Sequence, residues 1–366
     1  MKVRLTDICT PRQWKTIPTS ELLSEGYPVY GANGIIGYYN GYNHESPVVT
    51  ITCRGATCGT INITAPKSYV TGNAMCLDDL RPDVLLEYLY YSLLHYNFRN
   101  VISGSAQPQI TRQGLEKVNI ELHSLDEQRT IIDVLSKLER IILARKEELQ
   151  KLDNLVKARF VEMFGDPEFN TFGWDTEELG TLCDVGSSKR IYQNEQSQEG
   201  VPFWRISDLI SKMDIGVADS GLFIPEERYV ELKDAGLVPT TGDILVTSRG
   251  TLGRCYIIKD EDKFYFQDGM ISWLSSYVDG ITPLYLQYLF TMPGFRKQID
   301  GMQAGSTVAY LSIAMLKKLR VMVPPIETQN CFALFVEQLD KSKVVVQKAL
   351  DEAQLLFDSL MQKYFR

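Results

Sequence analysis

Two arginine–glycine pairs have the residue types and the setting needed to hydrogen-bond nucleic acid. Arg54-Gly55 and Arg249-Gly250 each follow a β-like run and begin a turn, so the pattern predicts an arginine at a loop tip in both halves of the chain. A guanidinium group can form paired hydrogen bonds with guanine or with phosphate. Because the loop recurs while its neighbours differ, we interpret the two loops as related readers of different sequences.

Polar side chains that could contact bases or phosphates accompany both loops. Asparagine and glutamine can hydrogen-bond adenine through two atoms, and hydroxyl groups can contact several bases. For any one residue the alternative is a structural role, since a turn asparagine often supports its own backbone and an arginine can form a salt bridge at a strand end. The candidate DNA-binding residues are Asn33, Arg54, Thr57, Asn73, Gln107, Gln109, Arg205, Ser248, Arg249, Thr251, Ser306 and Thr307.

Sequence motifs of common enzymes are absent from the chain. It contains no G-x-x-x-x-G-K-[ST] phosphate loop and no strand followed by G-x-G-x-x-G. It also lacks the methyltransferase tetrapeptide of Asn or Asp, two prolines and an aromatic residue. The three histidines, His44, His95 and His123, do not have metal-ligand spacing. We therefore predict no catalytic residue and no metal site in this chain.

One acidic pattern leaves a second function open. Asp243 precedes Glu261-Asp262-Lys263, which loosely resembles the carboxylate arrangement of a metal-dependent nuclease. The structural alternative is that Asp243 belongs to a turn before a strand and that residues 259–263 form a polar hairpin turn. A nuclease that uses Asp243 and Glu261 is kept as the alternative function.

The elements that would position these residues occur twice. Residues 104–164 align with residues 305–365 without a gap, and Gln128 corresponds to Gln329, 201 residues later. Leu179–Cys183 likewise resembles Leu5–Cys9. Two copies are too few for a solenoid, so the repeat predicts two similar globular domains in a pseudo-two-fold arrangement.

Each copy ends in a long run with apolar residues three and four positions apart, the spacing of a coiled coil. The first helix is predicted to begin at Ser124, an N-cap with Glu127 three residues later, and the second to follow Pro324-Pro325. Arg145, Arg159 and Lys343 interrupt the stripe and could set its register or extend to solvent. The apolar stripe residues assigned to the coiled-coil spacer are Leu138, Ile142, Leu149, Leu152, Val156, Leu339, Val346, Leu350, Phe357 and Leu360.

The predicted fold class is α+β, because short β-like runs alternate with Gly- and Asn-rich turns and with helical segments. We expect four segments: a globular domain over 1–124, a helix over 125–164, a second globular domain over 165–323 and a second helix over 324–366. The two helices are expected to pack as an antiparallel coiled coil that separates the domains.

Composition limits the function and the compartment. The net charge of -8 comes mainly from residues 165–323, and a simple DNA-binding domain would be basic. The seven cysteines form no C-x-x-C pair, which is typical of buried thiols in a reducing compartment. No signal peptide and no apolar run long enough to span a bilayer are seen, so we expect a cytoplasmic protein.

Five stretches, taken with the repeat, resemble the specificity subunits of type I restriction–modification systems over essentially the whole chain: Tyr27–Asn43, Ile51–Gly59, Gly72–Met75, Ser124–Gln128 and Arg159–Pro167. Gly200–Leu209 opens the second half as second domains of that family open. The resemblance implies two target recognition domains, each reading one half of a bipartite asymmetric DNA site in the major groove. It also implies that the family's two conserved helices fix the spacer between the half-sites.

The same resemblance implies the partners. They are double-stranded DNA, two methyltransferase subunits and the restriction subunits that join them, while S-adenosylmethionine, ATP and Mg²⁺ are used by those partner subunits and not by this chain. Part of the phosphate charge would then be neutralised by the methyltransferase subunits. Two alternatives remain beside the nuclease: the recognition half of another restriction–modification enzyme, and a coiled-coil scaffold that never contacts bases.

Overall fold

The chain forms two compact units. The computed structural model describes residues 1–32, 34–104, 107–303 and 309–366. Unit 1 consists of Met1–Glu148 and Val346–Arg366, and unit 2 consists of Leu149–Val345. Both units contain helices and sheets, which confirms the predicted α+β class. The borders between the units fall inside both long helices, because each half of a helix packs into the core of the unit that contains it.

Unit 1 contains a four-stranded sheet in the order β2-β8-β5-β6, a three-stranded sheet in the order β4-β3-β7, and the pairs β1-β11 and β9-β10. The strands are β1 Lys2–Arg4, β2 Thr10–Arg12, β3 Tyr27–Gly31, β4 Gly34–Tyr39, β5 Val49–Thr52, β6 Ile61–Ile63, β7 Tyr69–Val70, β8 Ala74–Asp78, β9 Ile102–Ser103, β10 Gln109–Ile110 and β11 Asn119–Glu121. The helices are α1 Leu86–His95, α2 Arg112–Leu115, the first part of α3 Leu125–Phe164 and the last part of α10 Ile326–Tyr364. Every residue of β5 and β8 is buried, as expected for central strands covered on both faces.

Unit 2 contains a four-stranded sheet in the order β13-β19-β16-β17, a three-stranded sheet in the order β15-β14-β18, and the pair β12-β20. The strands are β12 Thr176–Glu178, β13 Asp184–Gly186, β14 Val201–Trp204, β15 Phe223–Ile224, β16 Ile244–Thr247, β17 Cys255–Ile257, β18 Tyr265–Phe266, β19 Ile271–Ser275 and β20 Arg320–Met322. The helices are the last part of α3, α4 Leu179–Leu182, α5 Ile206–Ile215, α6 Glu226–Asp234, α7 Pro283–Leu289, α8 Pro293–Gly301, α9 Ile313–Lys317 and the first part of α10 Ile326–Tyr364.

The two units share one pairing scheme. The central sheets have corresponding strand orders, and β12 pairs with β20 as β1 pairs with β11. In the three-stranded sheets, β3 pairs in parallel with β7, and β14 pairs in parallel with β18. Unit 2 differs because α5 lies between β14 and β15, where unit 1 has a direct β3–β4 hairpin, and because α6 follows β15. The repeat seen in the sequence is therefore a duplicated fold, and the two copies differ in the helices inserted around the three-stranded sheet.

The two long helices pack against each other inside each unit. In unit 1, Ile131 and Leu135 of α3 share a buried cluster with Met361 of α10. In unit 2, the rings of Phe160 in α3 and Phe332 in α10 meet edge to face with centroids 5.5 Å apart. The beginning of each helix thus lies beside the end of the other, so the helices run antiparallel within each unit.

All ten stripe residues are removed from solvent to some degree. Leu138, Ile142, Val156, Val346 and Leu350 are buried, and Leu149, Leu152, Leu339, Phe357 and Leu360 are half-buried. Lys343 Nζ binds Asp153 on the opposite helix at 2.7 Å, and the Arg159 guanidinium lies over the ring of Phe335 at 5.6 Å. Arg145 instead pairs with Glu148 on its own helix. Within residues that the structure describes, no helix is both long and apolar enough to cross a membrane.

Two buried glutamines fix the starts of the long helices. Gln128 Oε1 accepts from Leu85 N at 2.8 Å, and Gln128 Nε2 donates to the carbonyls of Asp83 and His123, both at 2.9 Å. The corresponding partners of Gln329 are Thr282 N at 2.9 Å, Gly280 O at 2.8 Å and Pro324 O at 2.9 Å. Each hydrogen bond contributes about 1 kcal/mol net, and a buried amide left unpaired costs more than that. This repeated contact ties each long helix to the globular part that precedes it.

Candidate nucleic-acid interface

The first arginine–glycine loop joins two strands of the central sheet in unit 1. It connects β5 to β6 and is closed by Gly59 N, which donates to Thr52 O at 2.8 Å. Arg54 pairs with Gln109 of β10 in an isolated antiparallel bridge. Both side chains are exposed, and in the described part of the chain the Arg54 side chain has no hydrogen bond or ion pair. The fold therefore presents Arg54 and Gln109 side by side to solvent.

The second loop repeats this arrangement in unit 2. It connects β16 to β17, and Gly253 N donates to Thr247 O at 2.8 Å. Arg249 pairs with Tyr310, which lies 201 residues after Gln109, in the same kind of isolated bridge. The Arg249 guanidinium stacks over the Tyr310 ring, 5.0 Å from its centroid. The two loops thus carry an arginine in equivalent positions beside different neighbours, glutamine in one unit and tyrosine in the other.

The remaining candidates are distributed unevenly around the loops. Thr57 and Gln107 in unit 1 and Thr251 in unit 2 are exposed, whereas Asn73 is half-buried and its carbonyl accepts from Cys53 N at 3.1 Å. Asn73 is therefore held beside the first loop by its backbone. The candidates Asn33, Ser306 and Thr307 lie outside the described residues.

Ser248 and Arg205 have structural partners in unit 2. Ser248 is only 1% exposed, and its hydroxyl shares a 2.8 Å hydrogen bond with the hydroxyl of Ser272. Arg205 binds Asp208 Oδ2 through both its backbone N, at 2.8 Å, and its Nε, at 3.2 Å, at the start of α5. Burial removes the Ser248 hydroxyl from any ligand. The Arg205 guanidinium also donates from Nη2 to Ser220 O at 3.2 Å, so only its remaining N–H groups are left for a ligand.

The glycine after each arginine has a left-handed backbone. Gly55 has φ +87° and Gly250 has φ +67°, and in the described part of the chain an added Cβ at either position would have no heavy atom within 4 Å. An alanine there would be strained without a clash, at a cost of about 1 kcal/mol, while asparagine tolerates this conformation better. We expect Gly250→Ala to lower the free energy of unfolding by about that amount in urea, and Gly250→Asn to lower it less. Equal losses for the two variants would contradict backbone strain as the cause.

A buried polar cluster lies elsewhere in unit 1. His44 Nε2 is 3.0 Å from Asp78 Oδ1, and Trp14 Nε1 donates to Asp78 Oδ2 at 3.1 Å. His44, Cys76 and Asp78 form the one group of potential metal ligands within 4.8 Å of each other in the described ranges. The spacing of these residues in the sequence did not indicate the cluster, because His44 lies in a loop whereas Cys76 and Asp78 occupy alternate positions of β8. Protein donors already engage both oxygens of Asp78, so we interpret the cluster as structural.

The carboxylates of the nuclease alternative serve the fold. Asp243 is 7% exposed, and its Oδ2 accepts from Thr240 N at 2.7 Å and from Trp273 Nε1 at 2.9 Å. Glu261 is exposed, and the two residues do not belong to a common group of potential ligands within the described ranges. This arrangement is the turn before a strand that the structural alternative predicted.

Tyr310 is the member of the surface that the residue types alone did not indicate. Its backbone is fixed by Gln303, whose Oε1 accepts from Tyr310 N at 2.8 Å and whose Nε2 donates to Tyr310 O at 3.0 Å. The signal that could have found it is the repeat, since Gln109 was a candidate and Tyr310 occupies the equivalent position. Aromatic faces support cations, so Tyr310 positions Arg249.

Comparisons with known proteins agree with the duplicated fold. A family model described as the type I restriction modification DNA specificity domain matches residues 1–154 and again residues 172–353. The chain is 26% identical to a putative type I restriction enzyme specificity subunit of Haemophilus influenzae, over 96% of this chain and 89% of that protein. It is 24% identical to a type I restriction enzyme specificity subunit of Methanocaldococcus jannaschii, over 73% of this chain and 66% of that protein.

Solved structures show the same fold. An S subunit of a type I restriction–modification system from M. genitalium superimposes with a TM-score of 0.63 and 18% identity, over 100% of this chain and 96% of that one. A chain from a structure of the type I restriction–modification system has a TM-score of 0.54 and 16% identity, over 100% and 97% of the two chains. The family resemblance of the sequence is confirmed, and because the family model covers both halves, this protein belongs to the type I restriction–modification DNA specificity family.

Proposed function

We propose that this chain is the DNA sequence-specificity subunit of a type I restriction–modification complex, in which each unit reads one half of a bipartite asymmetric site. The observation that carries the proposal is the repeated loop with its exposed arginine, paired with Gln109 in unit 1 and with Tyr310 in unit 2. A common arginine provides the same anchoring chemistry, while unlike neighbours provide different base preferences. The match of the family model to both halves of the chain supports one recognition role for each unit.

The long helices have the features of a spacer that also docks partners. Their shared seam is apolar, but their outer faces also carry exposed apolar side chains, among them Leu143 and Leu355 in unit 1 and Leu334 and Val344 in unit 2. Exposed apolar groups on an otherwise charged helix favour a protein partner. We infer that methyltransferase subunits dock there and that restriction subunits join the resulting complex.

Catalysis belongs to those partners in this proposal. Methylation with S-adenosylmethionine, ATP hydrolysis and Mg²⁺-dependent cleavage would occur on the partner subunits, and the complex would act in the cytoplasm. The structural roles of Asp243 and the separation of function into two specificity domains favour this reading over a nuclease or the recognition half of another enzyme.

The test is methylation in a host that lacks other modification systems. With this chain and its cognate methyltransferase subunits co-produced, single-molecule sequencing should find methylation at one bipartite motif with two unlike halves. The matched control omits this chain and should leave the motif unmodified. Methylation that persists without the chain, or plasmid cleavage by the purified chain with Mg²⁺ alone, would contradict the proposal.

A further inference from the structure

A cleft of about 630 Å³ in unit 2 is lined by four cationic side chains and by no carboxylate. The cations are Lys212, Arg254, Lys259 and Arg296. This is unusual for its setting, because the second half of the chain has the acidic excess. A concentration of one sign of charge in a concave surface focuses the electrostatic potential and attracts the opposite charge. We refer to these residues and their surroundings as the cationic cleft.

Two of the four charges are neutralised within the protein, and two are not. Lys212 Nζ binds Asp262 Oδ1 at 3.0 Å, and Arg254 Nη2 binds Asp214 Oδ1 at 2.5 Å. Neither Lys259 nor Arg296 forms an ion pair with any residue that the structure describes. Arg296 uses one nitrogen to donate to Leu252 O at 3.0 Å, which leaves its other N–H groups for a ligand.

The ion pair between Lys212 and Asp262 remains charged at neutral pH. Burial alone would raise the pKa of Asp262, but hydrogen bonds from Tyr256, the Lys259 amide and Lys212 together hold that pKa below its usual value. Asp262 is therefore a carboxylate at neutral pH and anchors Lys212 and the Lys259 turn. The free charge of the cleft is then carried by Lys259 and Arg296 on a fixed framework.

The cationic cleft adjoins the arginine loop of unit 2. Gly253 and Arg254, which line the cleft, are the last residues of the loop that begins at Arg249. A Cβ placed on Gly253 would lie 3.8 Å from Arg296 Nη1, and Arg296 donates to the carbonyl of Leu252, the residue before Gly253. The loop that presents Arg249 thus supplies part of the lining of the cleft, and Arg296 is hydrogen-bonded to that loop.

Unit 1 has an arginine in the corresponding place. Arg99 precedes Arg296 by 197 residues and is exposed, and its neighbour Phe98 is 3.2 Å from the position of a Cβ on Gly59. Gly59 closes the Arg54 loop as Gly253 closes the Arg249 loop. A second cation therefore lies next to the arginine loop in both units, and in unit 2 that cation lines the cationic cleft.

We propose that the cationic cleft binds the phosphate backbone of the DNA duplex whose bases Arg249 contacts, with Lys259 and Arg296 as the phosphate ligands. The inference rests on the proposed function, since it requires DNA on this face of unit 2. Phosphate contacts fix position and register and carry no base preference, whereas Arg249 supplies the preference. The cleft also gives an acidic unit a local site for a polyanion, because Lys259 and Arg296 have no ion-pair partner among the described residues, whereas Asp214 and Asp262 are already paired with Arg254 and Lys212.

The test is the salt dependence of DNA binding by the full chain in complex with its methyltransferase subunits. Each lost phosphate contact makes the slope of log affinity against log salt concentration less negative by about 1. We expect this change for Lys259→Gln, together with a several-fold weaker affinity that is the same for cognate and unrelated duplexes. Lys259→Gln keeps the backbone hydrogen bond from Lys259 N to Asp262, so the turn is retained.

Lys233→Gln is the matched control, because Lys233 is an exposed lysine of α6 in the same unit and lies outside the cleft. It should keep the slope of the wild-type complex. Arg296→Gln should change the slope in the same direction as Lys259→Gln, and a thermal melt monitors the loss of its contact with Leu252.

The outcomes separate the two proposals. A wild-type complex without any sequence preference would overturn the proposed function. A wild-type complex with a preference, and a Lys259→Gln variant with an unchanged slope, would overturn only the phosphate assignment. If the wild-type chain binds ATP, Lys259→Gln abolishes that binding and the DNA slope does not change, the cleft is a site for free nucleotide and the inference is wrong.

Discussion

Replacing Arg249 by alanine is expected to weaken recognition of one half-site by about 1–3 kcal/mol, which corresponds to roughly 5- to 150-fold, while the other half-site is read as before. The Arg249 guanidinium is exposed, supported on the Tyr310 ring and free of ion pairs in the described part of the chain. Its hydrogen-bonding edge is therefore available in a fixed orientation. Methylation rates on duplex libraries randomised in one half-site at a time measure the effect.

Arg54→Ala is the mirror variant and should affect the opposite half-site. Arg249→Lys is the matched control for charge, because lysine keeps the positive charge but cannot form the paired hydrogen bonds of a guanidinium group. We expect Arg249→Lys to lose base preference almost as fully as Arg249→Ala. If both variants weaken all duplexes equally, or if lysine restores full selectivity, Arg249 contacts phosphate and not a base.

The repeat made much of the fold predictable from the sequence. Ser124 caps α3 as the spacing of Ser124 and Glu127 indicated, with Ser124 N donating to Glu127 Oε2 at 2.9 Å. Gln128 and Gln329 occupy equivalent positions in the two copies of the repeat, and each makes the same three hydrogen bonds to backbone groups. Helical periodicity and helix capping depend on residues that are close together in the sequence, so both can be recognised without the structure.

The surface around the loops was less predictable, for a physical reason. Arg249 and Ser248 are neighbours in the sequence, yet one is exposed and the other is 1% exposed, because successive residues of an extended chain point to opposite faces. The cationic cleft is assembled from residues of α5, the β16–β17 hairpin, α7 and α8, which no local pattern connects. Partners such as Asp262 and Asp214 decide which cations remain free, and only the folded chain shows them.

The distribution of free and paired charge also resolves the conflict between a net charge of -8 and a DNA-binding function. Screening confines the influence of an exposed charge to about 10 Å, so the field at the loops depends on nearby groups more than on the total. Arg54 and Arg249 have no carboxylate partner in the described residues, and Asp243 and Asp262 are turned to internal donors. The acidic excess is therefore compatible with two local cationic surfaces.

Lengthening both long helices by one heptad is expected to abolish modification of the original site and to move it to a site with the same half-sites and a longer spacer. The insertion points are between Glu148 and Leu149 and between Val345 and Val346, where the borders of the two units cross α3 and α10. Seven residues keep the apolar stripe in phase, and at about 1.5 Å per residue they add roughly 10 Å, or about three base pairs. Methylation sequencing measures the new spacer directly.

The phase of the stripe supplies the control for this experiment. Insertion of five residues at the same two points rotates Leu152 and Val346 away from the seam, so that variant should lose thermal stability as well as activity. The seven-residue variant should keep its melting temperature. Its methylation rate should be lower, because about three additional base pairs also rotate one half-site relative to the other by nearly a third of a turn. A stable seven-residue variant that modifies the original spacer, or that reads altered half-sites, would show that the helices do not determine the distance between the two recognition surfaces.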